Sequence, residues 1–393
     1  MSRLTAEDRA MLQRTIDSYT SKTDGVPGLV CSVVDASGDV IFESASGTRA
    51  VRSALPMSHD TVFWIASCTK LLTAIAAMQL VEQAGFSYSF LSMKLKRWSE
   101  PIGIMEDANR ENDIFGQPLV NQPGEKWEYG VSMDWVGRLI ERVTGMSLGA
   151  YFEQKICSPL RMRKTTFCPT ADMKANLAFL HERTANGQIQ LRENGHLLST
   201  PLRASSEEEA SSILHSGGAG LFSTPSDYCR MCARLPAVLL ELTEAPTEII
   251  AAFLNHGTHL KTGHQLLQRE TLNEMLKNQI PEHPNFARNL PPAAKPSFIN
   301  SAPEMYPQPE NEAQGWGLSF FKLLSDGPTG RSAGSIWWSG LANLVWWADV
   351  ERGIGGVFAS QILPFGDPEF FACQAAVEAQ LYSALSINAG SEK

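Results

Sequence analysis

Ten residues, Leu71 to Leu80, carry no charge and are apolar on nearly every side when wound as a helix. Such a helix cannot lie on a surface, because it has no polar stripe to face water. It must run through a core, with other elements packed around it. The residues before it, Thr61-Val62-Phe63-Trp64-Ile65-Ala66, have strand character, so the chain passes from a strand into a buried helix spanning about 67–83. At that junction stands Ser67-Cys68-Thr69-Lys70. Residues three apart share a helix face, which puts the Lys70 amine beside the Ser67 hydroxyl. The free N–H groups at a helix start favour negative charge on the serine oxygen. A lysine at the head of a buried helix sheds its charge readily and can then accept a proton. Serine activated by lysine is an established nucleophile design.

The rest of the chain supplies a frame. Thr5 to Asp8 can cap a helix running to about Ser21, with Leu4, Met11, Leu12 and Ile16 as its apolar side. Gly28–Val34 and Val40–Glu43 flank an Asp-Ala-Ser-Gly-Asp turn and read as an antiparallel hairpin. Near the other end, 315–323, 335–339, 342–349 and 354–361 read as strands, and 370–385 as a closing helix. The middle is helical and loop-like, with a helical pattern at Trp135–Val143 and another over 249–277, broken at Asn255-His256-Gly257. A turn is expected at Asn121–Glu125, and the Pro-rich stretch 281–309 reads as a long surface loop. Strands at both ends with helices between predict an α+β fold: one antiparallel sheet from both chain ends, flanked by helices, plus a mostly helical lobe. The expected division is a discontinuous sheet domain, 1–83 with 205–393, and a lobe over 84–204.

Other chemistries find little support. The 393-residue chain has a net charge of -9 and no block of five like charges, which argues against nucleic acid. No apolar run is long enough to span a membrane, and the N-terminus lacks the apolar core of a secretory signal. The seven cysteines are odd in number and scattered, which suits free thiols in a reducing compartment; the expected location is cytoplasmic. Cys229-Arg230-Met231-Cys232 reads as two cysteines on one helix face, and the histidines lack partners at metal spacing, so no metal and no cofactor are expected. Ser319-Phe320-Phe321-Lys322 repeats the Ser-x-x-Lys spacing inside a strand pattern, where the two residues point apart. The tryptophans at 337, 338, 346 and 347 read as core and pocket wall.

The octapeptide Phe63–Lys70 resembles the first motif of the serine β-lactamase-like family, which includes class C β-lactamases, DD-peptidases, family VIII esterases and fungal acyltransferases of the lovastatin type. Gly217–Asp227 resembles that family's glycine-rich stretch, and Leu254–Gly257 and Leu266–Thr271 its later helical landmarks. The resemblance implies that Tyr129, in Trp127-Glu128-Tyr129-Gly130-Val131, is the tyrosine of the second motif and relays a proton with Lys70. Val131 stands where the family often has Asn. Lys261-Thr262-Gly263 looks like the third motif but is misplaced; the positional match is Trp338-Ser339-Gly340-Leu341, similar to the Trp-x-Gly of esterases and acyltransferases. By that analogy the backbone N–H groups of Ser67 and Leu341 form an oxyanion hole. Ser67 and Tyr129 lie only 62 positions apart, so the lobe is expected to be shorter than in the family. The implied function is a serine acyl-enzyme hydrolase or acyltransferase. It would take a small-molecule ester or thioester as acyl donor, with water or an alcohol as acceptor, in secondary metabolism. The alternatives are a carboxylesterase without transfer activity and an impaired binding protein on the same scaffold.

Overall fold

The computed structural model describes residues 4–84, 114–116, 127, 129–229, 249–258, 263–288, 296–300 and 312–391. The first helix, α1 (Ala6–Thr20), starts at a reciprocal cap. The Asp8 N–H donates to Thr5 Oγ1 at 3.1 Å and the Thr5 N–H donates to Asp8 Oδ2 at 2.8 Å. Leu12 and Ile16, four residues apart, are fully buried, and α1 packs along the closing helix, α4 (Pro368–Ser391), and against the first hairpin.

That hairpin is β1 (Gly28–Asp35) and β2 (Val40–Gly47). It joins five C-terminal strands in one sheet: β7 (Gly315–Trp316), β8 (Phe321–Lys322), β9 (Ile336–Gly340), β10 (Leu344–Asp349) and β11 (Ile354–Ala359). The order is β2-β1-β11-β10-β9-β8-β7, every pairing antiparallel. Val30 pairs with Ala45 on one side and Ala359 on the other, so the two chain ends share one ladder. Strands β10 and β11 are buried at every position. They read as continuous apolar runs because helices cover both faces.

The buried helix is α2 (Thr69–Ala84), entered through a 3₁₀ turn at Ala66–Cys68. Leu71, Leu72, Ile75, Ala76 and Met78 are all at most 4% exposed. The strand before it is only β3 (Phe63–Trp64), paired with β6 (Phe222–Ser223) outside the main sheet. The helical pattern near Trp135 is α3 (Ser132–Thr144), stopped by Gly145 in the left-handed conformation.

Three readings are corrected. Among the described residues, the pattern over 249–277 is helical only at Ile249–Leu254 and Arg269–Leu276, with Thr258 bridged to Gln265 between them. Residues 315–323 are two short strands around a turn: the Gly317 N–H bonds to Phe320 O at 2.9 Å and Ser319 sits at φ 83°. Leu318 and Phe320 are apolar because the turn is buried, with the Leu318 N–H on the Met275 carbonyl. The stretch expected to be helical also holds a hairpin, β4 (His181–Arg183) and β5 (Ile189–Leu191), whose first strand pairs with β12 (Ile362–Leu363). The junction at Gly85–Tyr88, the Asn121–Glu125 turn, Cys232 and Lys261–Thr262 lie outside the described residues. Among the described residues no helix is long and apolar enough to cross a membrane.

His181 on β4 is buried and held as one neutral tautomer. Its Nε2 accepts the Val51 N–H at 3.0 Å, which leaves Nδ1 to donate to the Gln361 carbonyl at 3.0 Å. His196 lies half-buried near it, on the Ala178 carbonyl. Burial pushes both imidazoles down to about 4. A histidine lowered on folding protonates first in the unfolded chain. Its contribution is therefore complete above pH ~6.5 and is lost as pH falls towards 4, by an amount on the order of a few kcal/mol. We expect the thermal midpoint to fall steeply between these limits; a midpoint that stays level from pH 7 to pH 4.5 would count against this burial.

Candidate active site

Ser67 lies in the turn that joins β3 to α2. Ala66 before it sits at φ 44°, a strained setting for a residue with a β-carbon. Three contacts fix that turn. The Ile65 N–H bonds to Leu221 O at 3.0 Å, the Cys68 N–H bonds to Ile65 O at 3.0 Å, and Gly340 of β9 lies directly on the Ile65 carbonyl. A β-carbon at Gly340 would come within 2.5 Å of that oxygen, so only glycine lets the strand end approach the serine's turn.

Lys70, in the first turn of α2, is 6% exposed. Its ammonium donates to Ser67 Oγ at 3.1 Å and to the Gly218 carbonyl at 2.7 Å, and lies 4.8 Å from the centre of the Tyr129 ring. The Tyr129 hydroxyl donates to Ser67 Oγ at 2.8 Å and accepts the Trp338 indole N–H at 3.3 Å. Thus Lys70 and Tyr129 meet on Ser67, with Trp338 behind Tyr129, and Ser67 itself is partly buried. By the alternation of β9, Trp338 and Gly340 share this face, while Ser339 shares the opposite face with Trp337. Leu341 follows at the end of the strand, partly exposed.

The glycine-rich stretch is stitched along the first turns of α2. Thr73 Oγ1 donates to Gly217 O at 2.7 Å, Thr69 Oγ1 accepts the Leu221 N–H at 3.1 Å, and the Trp64 indole donates to Ala219 O at 2.6 Å. Asp134, from the first turn of α3, closes the far side. It accepts the Ser216 hydroxyl at 2.6 Å and the Gly218 N–H at 3.1 Å. Sequence reasoning missed Asp134, since an acidic residue at a helix start is ordinary. The second Ser-x-x-Lys does come apart, but because Ser319 sits in a turn and not in the expected strand. Ser319 donates to the Lys70 backbone carbonyl at 3.0 Å, while Lys322 reaches the Leu276 carbonyl at 2.7 Å.

From Tyr129 a row of rings leads away: Trp338 at 5.4 Å, then Trp316 at 4.7 Å, Trp127 at 5.0 Å and Phe286 at 4.7 Å. Of the four tryptophans read as core and pocket wall, all are core, at most 4% exposed; the half-buried rings of this row are Trp127 and Trp316.

A sheet built from both chain ends, with Ser-x-x-Lys entering a buried helix beside the end of β9, is the β-lactamase/transpeptidase-like architecture. The chain belongs to the Beta-lactamase family, whose model matches residues 12–89 and 96–380. It is 26% identical over 424 aligned positions to the monacolin J acid methylbutanoyltransferase of Aspergillus terreus, covering 92% of this chain and 93% of that one. It is also 26% identical to the lovastatin esterase of Penicillium rubens, covering 87% and 90%. Among solved structures, a mutant of simvastatin synthase from Aspergillus terreus superposes with a TM-score of 0.69 at 22% identity, over 97% of this chain and 96% of that one. EstCE1, a hydrolase with promiscuous acyltransferase activity, gives 0.64 at 18% identity, over 96% and 99%. These relatives are thus acyltransferases and esterases on one fold.

Proposed function

We propose that this chain is a serine acyl-enzyme enzyme that cleaves or transfers ester-type acyl groups, with Ser67 as nucleophile, Lys70 as base and Tyr129 as proton relay. The observation that carries this reading is the convergence of Lys70 Nζ and Tyr129 OH on one oxygen, Ser67 Oγ, at 3.1 and 2.8 Å. Ser67 Oγ attacks the acyl carbonyl while its proton passes to whichever neighbour is unprotonated, Lys70 or Tyr129. The carbonyl electron pair moves onto oxygen, where the N–H groups of Ser67 and Leu341 receive it. Collapse expels the alcohol or thiol, which takes the proton back, and leaves acyl-Ser67. Water or an alcohol then repeats the steps in reverse.

The half-buried Trp127 and Trp316, next to the exposed Tyr129, support an apolar partner, because aromatic rings bind alkyl and fused-ring groups well. The relatives' names, a methylbutanoyltransferase and an esterase, support both outcomes, acyl transfer and hydrolysis, within secondary metabolism. The intact triad favours an enzyme over a binding protein. We infer a shortened lobe over 84–204 from the 62 positions that separate Ser67 from Tyr129. Among the described residues no disulfide is formed, which supports a cytoplasmic protein.

Val131 and Trp338-Ser339-Gly340 stand where a β-lactam's carboxylate would need an amide and a cation. Short-chain p-nitrophenyl esters or acyl thioesters should therefore acylate Ser67, while nitrocefin turns over at least about tenfold more slowly. Nitrocefin hydrolysed faster than every ester tried would overturn the reading. Ester hydrolysis with no product across a panel of alcohols would assign a hydrolase.

A further inference from the structure

We propose that Asp134 is a positioning residue for acylation, acting through Lys70: it holds Gly218 against the lysine and supplies the negative charge that stabilises the ammonium formed when Lys70 takes the serine proton. This rests on the function proposed above. The geometry is a relay one residue long. Asp134 Oδ1 accepts the Gly218 N–H at 3.1 Å, and the Gly218 carbonyl accepts the Lys70 ammonium at 2.7 Å.

The site is built around that carboxylate. Asp134 is 6% exposed, and the Ser216 hydroxyl donates to the same oxygen at 2.6 Å. A β-carbon on Gly218 would stand 2.4 Å from Asp134 Oδ2, and one on Gly217 would stand 2.6 Å from the Met133 carbonyl. The paired glycines therefore let the stretch close on the first turn of α3. An acidic residue in a helix's first turn ordinarily faces solvent or caps the helix. Here the turn receives no side-chain cap; Asp134 instead faces inward, towards the neighbourhood of Lys70.

Burial pushes the Asp134 carboxyl above the usual carboxylate range, while the Ser216 hydroxyl, the Lys70 charge and the Gly218 N–H draw it back. Among the described residues, the titratable groups facing Lys70 are Tyr129 from the loop before α3, Cys68 from its own turn and Asp134 from α3. The glycine stretch offers a carbonyl, and the turn between β7 and β8 offers the Ser319 hydroxyl to the Lys70 backbone. Asp134 is thus the acidic group positioned to act on Lys70.

The step is balanced within the site. As the bond from Ser67 Oγ to the acyl carbon forms, the Oγ–H bond breaks and its proton moves to Lys70 Nζ, creating a cation separated from a fixed anion by Gly218 alone. Without the anion the ammonium is harder to form, so the plateau rate falls; for the same reason Lys70 is neutral at lower pH, so the rising limb of the profile moves to acid.

The test is the rate of Ser67 labelling by a fluorophosphonate probe, as a function of pH, in wild type and Asp134→Asn. Asn keeps the size and an acceptor oxygen but removes the charge. We expect a plateau about 10- to 100-fold lower, with the limb moved to acid by roughly half to one pH unit. A merely structural role would reduce the labelled fraction without moving the limb. A variant with the wild-type plateau, or with its limb in place, overturns the proposal. Should Asp134→Asn fail to accumulate, Ser216→Ala decides: a labelling rate several-fold below wild type at an unchanged melting temperature supports the proposal, and a wild-type rate overturns it. Wild type that is not labelled at Ser67 refutes the proposed function itself, an outcome distinct from labelling that ignores Asp134.

Discussion

Ser67→Ala is expected to abolish fluorophosphonate labelling and to lower acyl turnover by about 10³-fold or more, the scale seen when one member of a cooperating set is removed. The fold should survive. The turn at Ala66–Cys68 takes no cap from the Ser67 side chain, since its N-cap is Ile65 and makes no side-chain bond. The hydroxyl's partners are Lys70 and Tyr129, both donating to it. On its removal Lys70 keeps the Gly218 carbonyl, and Tyr129, 47% exposed, can turn to water. The cost should thus stay below about 1 kcal/mol. Intact mass measured after exposure to the probe decides the matter: one adduct on wild type and none on the variant. An adduct on the variant would place the nucleophile elsewhere.

How much of this was legible in the sequence follows from how local each feature is. Ser67 and Lys70 could be read because their relation is set by one helical turn and by the apolar residues behind them. The two-ended sheet could be read because β1, β10 and β11 are continuously apolar and the turns between strands are marked by Gly and Asp. Tyr129 could not be derived from spacing, because only tertiary packing carries it across 62 positions to Ser67; it entered through the family resemblance. Asp134 gave no signal, since its place in a first helical turn already explains an acidic residue. Trp127 and Trp316 gave none either, because a half-buried ring beside a site and a ring in the core look alike in a sequence. The misread strand at 315–323 has the same origin: apolar residues mark burial, and Leu318 and Phe320 are buried in a turn. The two Ser-x-x-Lys copies make the point sharply. On α2 the spacing brings hydroxyl and amine together at 3.1 Å; across a left-handed Ser319 the same spacing sends them to two different backbone carbonyls.

Lys70→Met should lower acylation by about 10³-fold or more, and Tyr129→Phe by about 10²- to 10³-fold. Methionine is unbranched and close to lysine in length, so it fits the same channel while removing the base. It leaves the Gly218 carbonyl without its donor, a cost of about 1–3 kcal/mol that is partly offset because a buried charge is removed as well. Phenylalanine keeps the ring between Lys70 and Trp338, so packing persists, and takes away only the hydroxyl that joins Ser67 to the Trp338 indole. Turnover needs one of the two neighbours unprotonated to receive the serine proton. The wild-type rate should therefore rise with pH and level off once the Lys70–Tyr129 pair has lost one proton, on a limb that belongs to the pair and not to either residue. In Tyr129→Phe the limb that remains is that of Lys70 alone. The two variants then separate their roles: a limb that persists in Tyr129→Phe at reduced height identifies Lys70 as the base, and one that persists in Lys70→Met identifies Tyr129. A Lys70→Met enzyme within tenfold of wild type, correctly folded, would remove lysine from the mechanism.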